Sequence, residues 1–247
     1  MISTESRDGI SVVRLDRPAG RNALIPEMAE RLVKHLEAAA AVRQPVVLTA
    51  TGVSFCPGAD LKWLATCGDP ALGVADLVAV HHLAIVTLLE MPVPVVAAIN
   101  GSVAGGGLGL MLAADYRVAA ERATFTAAYF RLALTPDGGS SAFLERMIGP
   151  ARTLELLLTN RSLNAREAHD WGMVSEVAPD TELLDRAVAF AAGLQRVPGY
   201  ALLQTRRLID TINIRNQLQL ESVAIRTAAR GSAFRDALAA FVEAHPA

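Results

Sequence analysis

Charge, aromatics and cysteine are all scarce in this chain, and each scarcity narrows what it can do. Charged residues fill 19% of the 247 positions and balance to a net −2. With no block of like charge, the chain offers no cationic face for a phosphate backbone, so no nucleic-acid partner is expected. The only cysteines, Cys56 and Cys67, sit at a spacing that fits neither a zinc site nor a redox dithiol. Reduced thiols in a cytoplasmic protein are the expectation. The five histidines form no ligand pattern, so no metal is expected either. MISTESRDG at the N-terminus is polar and carries no apolar leader core. The longest apolar run, LAIVTLLEMPVPVVAAI (83–99), is broken by Glu90, Pro92 and Pro94, which argues against a membrane span.

What is present is apolar (52%) and punctuated by glycine. ISVVRL (10–15) alternates and predicts a strand. IPEMAERLVKHLEAAA (25–40) predicts a helix, with Pro26 in its first turn and Met28, Leu32, Leu36 and Ala39 along one face. VVLTAT (46–51) reads as a strand covered on both sides. A loop, TGVSFCPGAD, leads to a helix near 74–90 and a strand at PVVAAI (94–99). Beyond a glycine cluster come a helix to about Ala114 and strands at YRVAA (116–120) and ATFTA (123–127). Helices then dominate: SSAFLERMI (140–148), PARTLELLLT (150–159), AREAHDW (165–171) and three or four more between 181 and 243, interrupted by one strand at MVSEVA (173–178). This order predicts an α/β core over 1–190 and a helical segment over 191–247. The helix around 216–230 offers Leu218, Val223, Ile225 and Ala229 to either a subunit contact or ordinary core.

The glycine cluster, GSVAGGGLGLMLAAD (101–115), poses the sharpest question. Glycine inside a helix costs about 1 kcal/mol relative to alanine, yet these glycines open one. Between a strand and a helix, glycine can leave backbone N–H groups unpaired at the positive end of the helix dipole. Such donors suit an oxygen that gains charge during reaction. The spacing fits neither a dinucleotide fingerprint nor a nucleotide P-loop; close packing of helix on strand is the alternative reading. A second loop, SFCPGADLKWL (54–64), also leaves a strand through a glycine turn. Two such turns could each supply one N–H to a single oxygen.

FCPGADL and AAINGSVAGGGLGLMLAAD are similar to segments of the enoyl-CoA hydratase/isomerase (crotonase) superfamily. The likeness continues through LDRPAGRNAL (15–24), LTPDGGSSAFLERMIG (134–149) and ARTLELLLTNRSLNAREAHDWGMVSEV (151–177), covering roughly residues 10–180. The resemblance implies a spiral of β-β-α units whose C-terminal helices cover the site and assemble homotrimers or dimers of trimers. It also implies an acyl-CoA thioester whose carbonyl oxygen lies between the N–H groups of Ala59 and Gly106. No cofactor is implied, because CoA belongs to the substrate. Arg21 and Lys62 are the implied cations for its phosphates. Ala23, Asp60, Leu61, Gly105, Gly107, His82 and Tyr129 complete the implied substrate-binding set.

The family's hydratases use two glutamates, and the matching positions here hold Gly109 and Tyr129. Water addition by that route is therefore not expected. Asp137, in TPDGGSS, falls where several isomerases of the family carry an acid. The expected reaction is a shift of an enoyl-CoA double bond, with Asp137 moving the proton and burial raising its pKa. Asp137 is alternatively an N-cap for SSAFLERMI. It also matches the nucleophilic aspartate of 4-chlorobenzoyl-CoA dehalogenases, which place a histidine at His82 and an aromatic at Tyr129. His82 itself reads equally as a core residue of an apolar helix. A non-catalytic acyl-CoA binder keeps the same loops. GGSSA resembles a serine-hydrolase elbow only distantly, and its partner would have to be His169 or His245.

Overall fold

The computed structural model describes residues 1–210 and 213–245. Ile2–Arg7 (β1) pairs antiparallel with Ile10–Leu15 (β2), from Ile2 opposite Leu15 to Arg7 opposite Ile10. The residue pattern predicts no strand at β1, whose side chains are largely exposed. The hairpin rests instead on its turn: Asp8 and Gly9 take φ of 54° and 76°, the left-handed pair that a two-residue hairpin demands. Pro26–Val42 (α1) follows and buries the expected face of Met28, Leu32, Leu36 and Ala39.

A β-β-α unit then repeats. Val46–Ala50 (β3) and Ser54–Cys56 (β4) lead to Leu61–Thr66 (α2) and Pro70–Glu90 (α3). Val95–Ile99 (β5) and Ser102–Ala104 (β6) lead to Gly106–Leu112 (α4). Tyr116–Ala120 (β7) and Thr124–Thr126 (β8) lead to Ser140–Thr159 (α5). In each unit the first strand extends one sheet and the second extends another. Ser162–Asn164 (β9), Ala165–Asp170 (α6) and Glu176–Ala178 (β10) close the series. The larger sheet runs β1-β2-β3-β5-β7-β10 and the smaller β4-β6-β8-β9.

The larger sheet is parallel from β2 onward, and both its faces are covered, as its unbroken apolar runs require. Val46, Leu48 and Ala50 of β3 join the main core, whereas Val47 joins a second cluster. That second cluster is closed by Leu183, Ala187, Val188 and Ala191 of Leu183–Gly193 (α7). Gly199–Ile209 (α8), Ile214–Ala229 (α9) and Ser232–Ala244 (α10) complete the chain. Helix α5 bends at Gly149, φ 76°, just before Pro150, so the two expected helices meet end to end.

The apolar helix α3 is long enough to cross a membrane, but it packs in the core through Val74, Leu77, Val78, Ala84, Ile85 and Leu88. Helix α9 corrects one expectation. Leu218, Ile225 and Ala229 are buried, but Val223 is 67% exposed and the inner position between them belongs to Glu221.

Candidate active site

The first glycine turn is fixed by a short bridge. Leu24 pairs with Ala59, donating its N–H to the Gly58 carbonyl at 2.7 Å and accepting from the Asp60 N–H at 2.9 Å. Because neighbouring groups alternate along an extended chain, the N–H of Ala59 points away from Leu24. A Cβ on Gly58 would lie 2.9 Å from the Ala104 carbonyl and 3.3 Å from the Gly106 nitrogen, so the turns touch and only glycine fits. Gly106 opens α4 after Gly105, whose φ of 49° sets up the turn. Among the described residues, no hydrogen bond engages the N–H of Ala59 or of Gly106.

The remaining glycines of the cluster allow close approach. A Cβ on Gly107 would meet the Cys56 carbonyl oxygen at 2.1 Å, and one on Gly109 would meet that of Gly138 at 2.3 Å. Packing and exposed amides thus go together, because only a helix seated this deeply presents its first N–H to the neighbouring turn.

Asp137 is 5% exposed and precedes Gly138, whose carbonyl packs against Gly109 of α4. Its Oδ1 is 2.5 Å from His82 Nε2 and its Oδ2 is 3.4 Å from His81 Nδ1, both histidines standing on α3. The Gly138 N–H also reaches His82 Nε2, at 3.4 Å. Burial alone would raise the Asp137 pKa. Hydrogen bonds from His81 and His82, with their charge, outweigh it and hold the carboxyl well below the usual range. The expectation of a raised value is corrected by these two ring partners.

A pH dependence follows. A carboxyl more acidic folded than unfolded stabilises above its unfolded pKa, and that contribution is lost as pH falls below about 3.9. The stability difference between wild type and Asp137→Asn should therefore shrink on acidification from pH 5 towards pH 2, as read by urea unfolding across the range.

The N-cap reading of Asp137 gives way to a different arrangement. Gly139 occupies the cap position without a side-chain bond of its own. Instead, buried Glu221 of α9 accepts the N–H groups of Gly139, at 2.6 Å, and Ser141, at 3.0 Å, together with the Ser141 hydroxyl. Burial raises the Glu221 pKa against these donors, and the nearby Asp137 charge adds to the rise. Tyr129 is buried, and its hydroxyl donates to the Asp137 carbonyl at 2.9 Å beside Ser140 Oγ at 3.0 Å. It thus holds the loop that carries Asp137.

His82, Asp137 and Glu221 place donor atoms within 4.8 Å of one another. Two ligands of one small ion at about 2.1 Å each stand roughly 3 Å apart or more. The 2.5 Å between His82 and Asp137 is instead a hydrogen-bond distance. Cys56 is fully buried and its thiol is pushed up to about 12, so it is no nucleophile. Ser140 is bonded to the Asp137 carbonyl, while His169 and His245 are exposed. Their hydrogen-bond and ring partners lie elsewhere, and no hydrolase triad forms among the described residues.

The other expected residues line the outer side of the first turn. Ala23 is buried beside Leu24, while Arg21 and Lys62 are exposed and Leu61 is half-buried. Asp60 caps α2 by accepting the Trp63 N–H at 3.0 Å and pairs with Arg17 at 2.7 Å. Its carboxylate fixes the turn. The sequence reading missed His81 and Glu221. The His81-His82 doublet in an apolar helix was one available signal; an acid three residues after Leu218 and four before Ile225 was the other.

Two sheets built by alternating strands, with two glycine turns packed against each other, mark the crotonase class of enzyme. The comparisons agree: a family model for enoyl-CoA hydratase/isomerase matches residues 5–246, and the chain belongs to that family of acyl-CoA enzymes. A solved enoyl-CoA hydratase from Bacillus halodurans superimposes with a TM-score of 0.88 at 25% identity, covering 97% of this chain and 99% of that one. A probable enoyl-CoA hydratase of Rhodobacter capsulatus is 34% identical over 99% of this chain and 96% of its own. The 1,2-epoxyphenylacetyl-CoA isomerase of Escherichia coli is 33% identical over 95% and 92%. A 4-chlorobenzoyl coenzyme A dehalogenase of an Arthrobacter species is 36% identical over 80% and 73%.

Proposed function

We propose that the protein shifts the double bond of an enoyl-CoA by proton transfer through a thioester enolate. The N–H groups of Ala59 and Gly106 receive the thioester oxygen as it gains charge. Each preorganised donor contributes roughly 2.7–4 kcal/mol in a water-poor site. Asp137 and its histidine partners take a proton from C2 and return one at C4. Arg21 and Lys62 face the phosphates of CoA, and the reaction needs no further cofactor. One observation carries this reading: a buried carboxylate is hydrogen-bonded to His82 at 2.5 Å beside two glycine turns that pack against each other. Gly109 supports it, because the space for a hydratase glutamate is filled by the Gly138 carbonyl.

The reading predicts deuterium exchange at C2 of 3-enoyl-CoA in D2O, with conversion to the 2-enoyl isomer, followed by NMR. Absence of exchange with straight-chain and phenylacetyl-derived thioesters alike would refute it. A second reading, nucleophilic attack of Asp137 on an aryl-CoA ring, is favoured by the same ionised carboxylate with a histidine in contact. Chloride release from 4-chlorobenzoyl-CoA would separate the two.

A further inference from the structure

His81 is 2% exposed, and its Nε2 has no hydrogen-bond partner among the described residues. Leaving a buried polar atom unpaired costs about 1–3 kcal/mol, so an orphan nitrogen beside a reactive cluster calls for an explanation. Its surroundings supply one. The other ring nitrogen, Nδ1, faces Asp137 Oδ2 at 3.4 Å. An ionised carboxylate only accepts, so Nδ1 donates to it, and in the neutral ring Nε2 keeps a lone pair with no donor beside it among the described residues. The ring also lies against both reactive turns. A Cβ on Gly106 would meet its Cε1 at 3.2 Å and Nε2 at 3.6 Å, and one on Gly138 would meet Cε1 at 2.3 Å. The imidazole is thus held beside Gly106, whose amide receives the thioester oxygen in the reading above. The carbon to be deprotonated is the immediate neighbour of that thioester carbon.

We propose that His81 Nε2 is the atom that exchanges the proton with the substrate, and that Asp137 orients its ring. The inference rests on the proton-transfer reading above and names the group that performs it. In the forward step the C2–H bond breaks and its proton moves to Nε2. Its electron pair forms the C1–C2 double bond, leaving the charge on the thioester oxygen between Ala59 and Gly106. In the return step the imidazolium gives that proton to C4 as the dienolate collapses to the 2-enoyl thioester. Nothing else is consumed. Titratable groups facing His81 are Asp137 and, on its own helix, His82, with Glu221 behind Asp137. The orienting-acid and base couple is that of a catalytic triad without its nucleophile.

Acyl-CoA binding and C2 exchange in His81→Gln test the idea. Glutamine keeps an N–H for Asp137 but cannot accept a proton from carbon. Exchange is expected to fall by about 10²–10⁴-fold, with acyl-CoA affinity held within about threefold. The bound enolate of a 3-oxoacyl-CoA, read by its near-ultraviolet absorbance, should disappear in the same variant. Should His81→Gln fail to fold, 15N-imidazole spectra of the wild type decide: one buried Nε2 must gain a proton as the 3-oxoacyl enolate forms. Near-wild-type exchange in folded His81→Gln, or no newly protonated Nε2, overturns the role of His81 and leaves the isomerase reading intact. A wild type that exchanges no thioester proton removes both.

Discussion

Replacing Asp137 by alanine is expected to lower C2-proton exchange and turnover by about 10²–10⁴-fold while leaving acyl-CoA binding within about threefold. The carboxylate hydrogen-bonds to both histidines. Its removal takes away the hydrogen-bond partner of His82 and the acceptor that fixes the His81 ring. In the reading proposed above, Arg21 and Lys62 hold CoA rather than this cluster, so KM should change little. Asp137→Asn refines the result: it keeps the size and one acceptor but loses the negative charge that both histidines face, and its loss should approach that of alanine. Isotope exchange by NMR, with calorimetric titration of an acyl-CoA, measures both halves. A folded Asp137→Ala with undiminished exchange would exclude the cluster from the chemistry.

Restoring the hydratase glutamate should break the protein rather than convert it. In Gly109→Glu the new Cβ would stand 2.3 Å from the Gly138 carbonyl oxygen. Gly138 cannot give way towards His81, because its own Cβ position already lies 2.3 Å from that ring and its φ is +67°. The cost is about 3 kcal/mol or more, a fall in Tm of roughly 6–12 °C for a chain of this size. Gly109→Ala isolates the Cβ and should show much of the same loss. Differential scanning calorimetry and a hydration assay on a 2-enoyl-CoA test both points. A stable Gly109→Glu that hydrates would mean that the approach of α4 to the Asp137 loop is loose.

Long, strongly patterned segments were the readable part of this fold. Val46–Ala50 and Val95–Ile99 could only be buried strands, and the face of α1 followed from its spacing. The three-residue strands β4, β6 and β9 escaped, because so short a strand exists through its pairing and carries no period of its own. Strand β1 was legible after all in the Asp8-Gly9 pair, a hairpin signal stronger than its polar side chains. The glycine turns and Asp137 stood out as local motifs. The direction of the Asp137 pKa did not, since it depends on two histidines 55 and 56 positions away in the chain. Glu221 lay further still, 82 positions from the Gly139 amide it receives.

That last contact has a temporal consequence. The start of α5, and with it the loop bearing the acid, is pinned by a side chain from α9. During translation the two glycine turns can meet early, yet the pocket stays unfinished until α9 has left the ribosome and docked. Competence is therefore one of the last things a growing chain acquires.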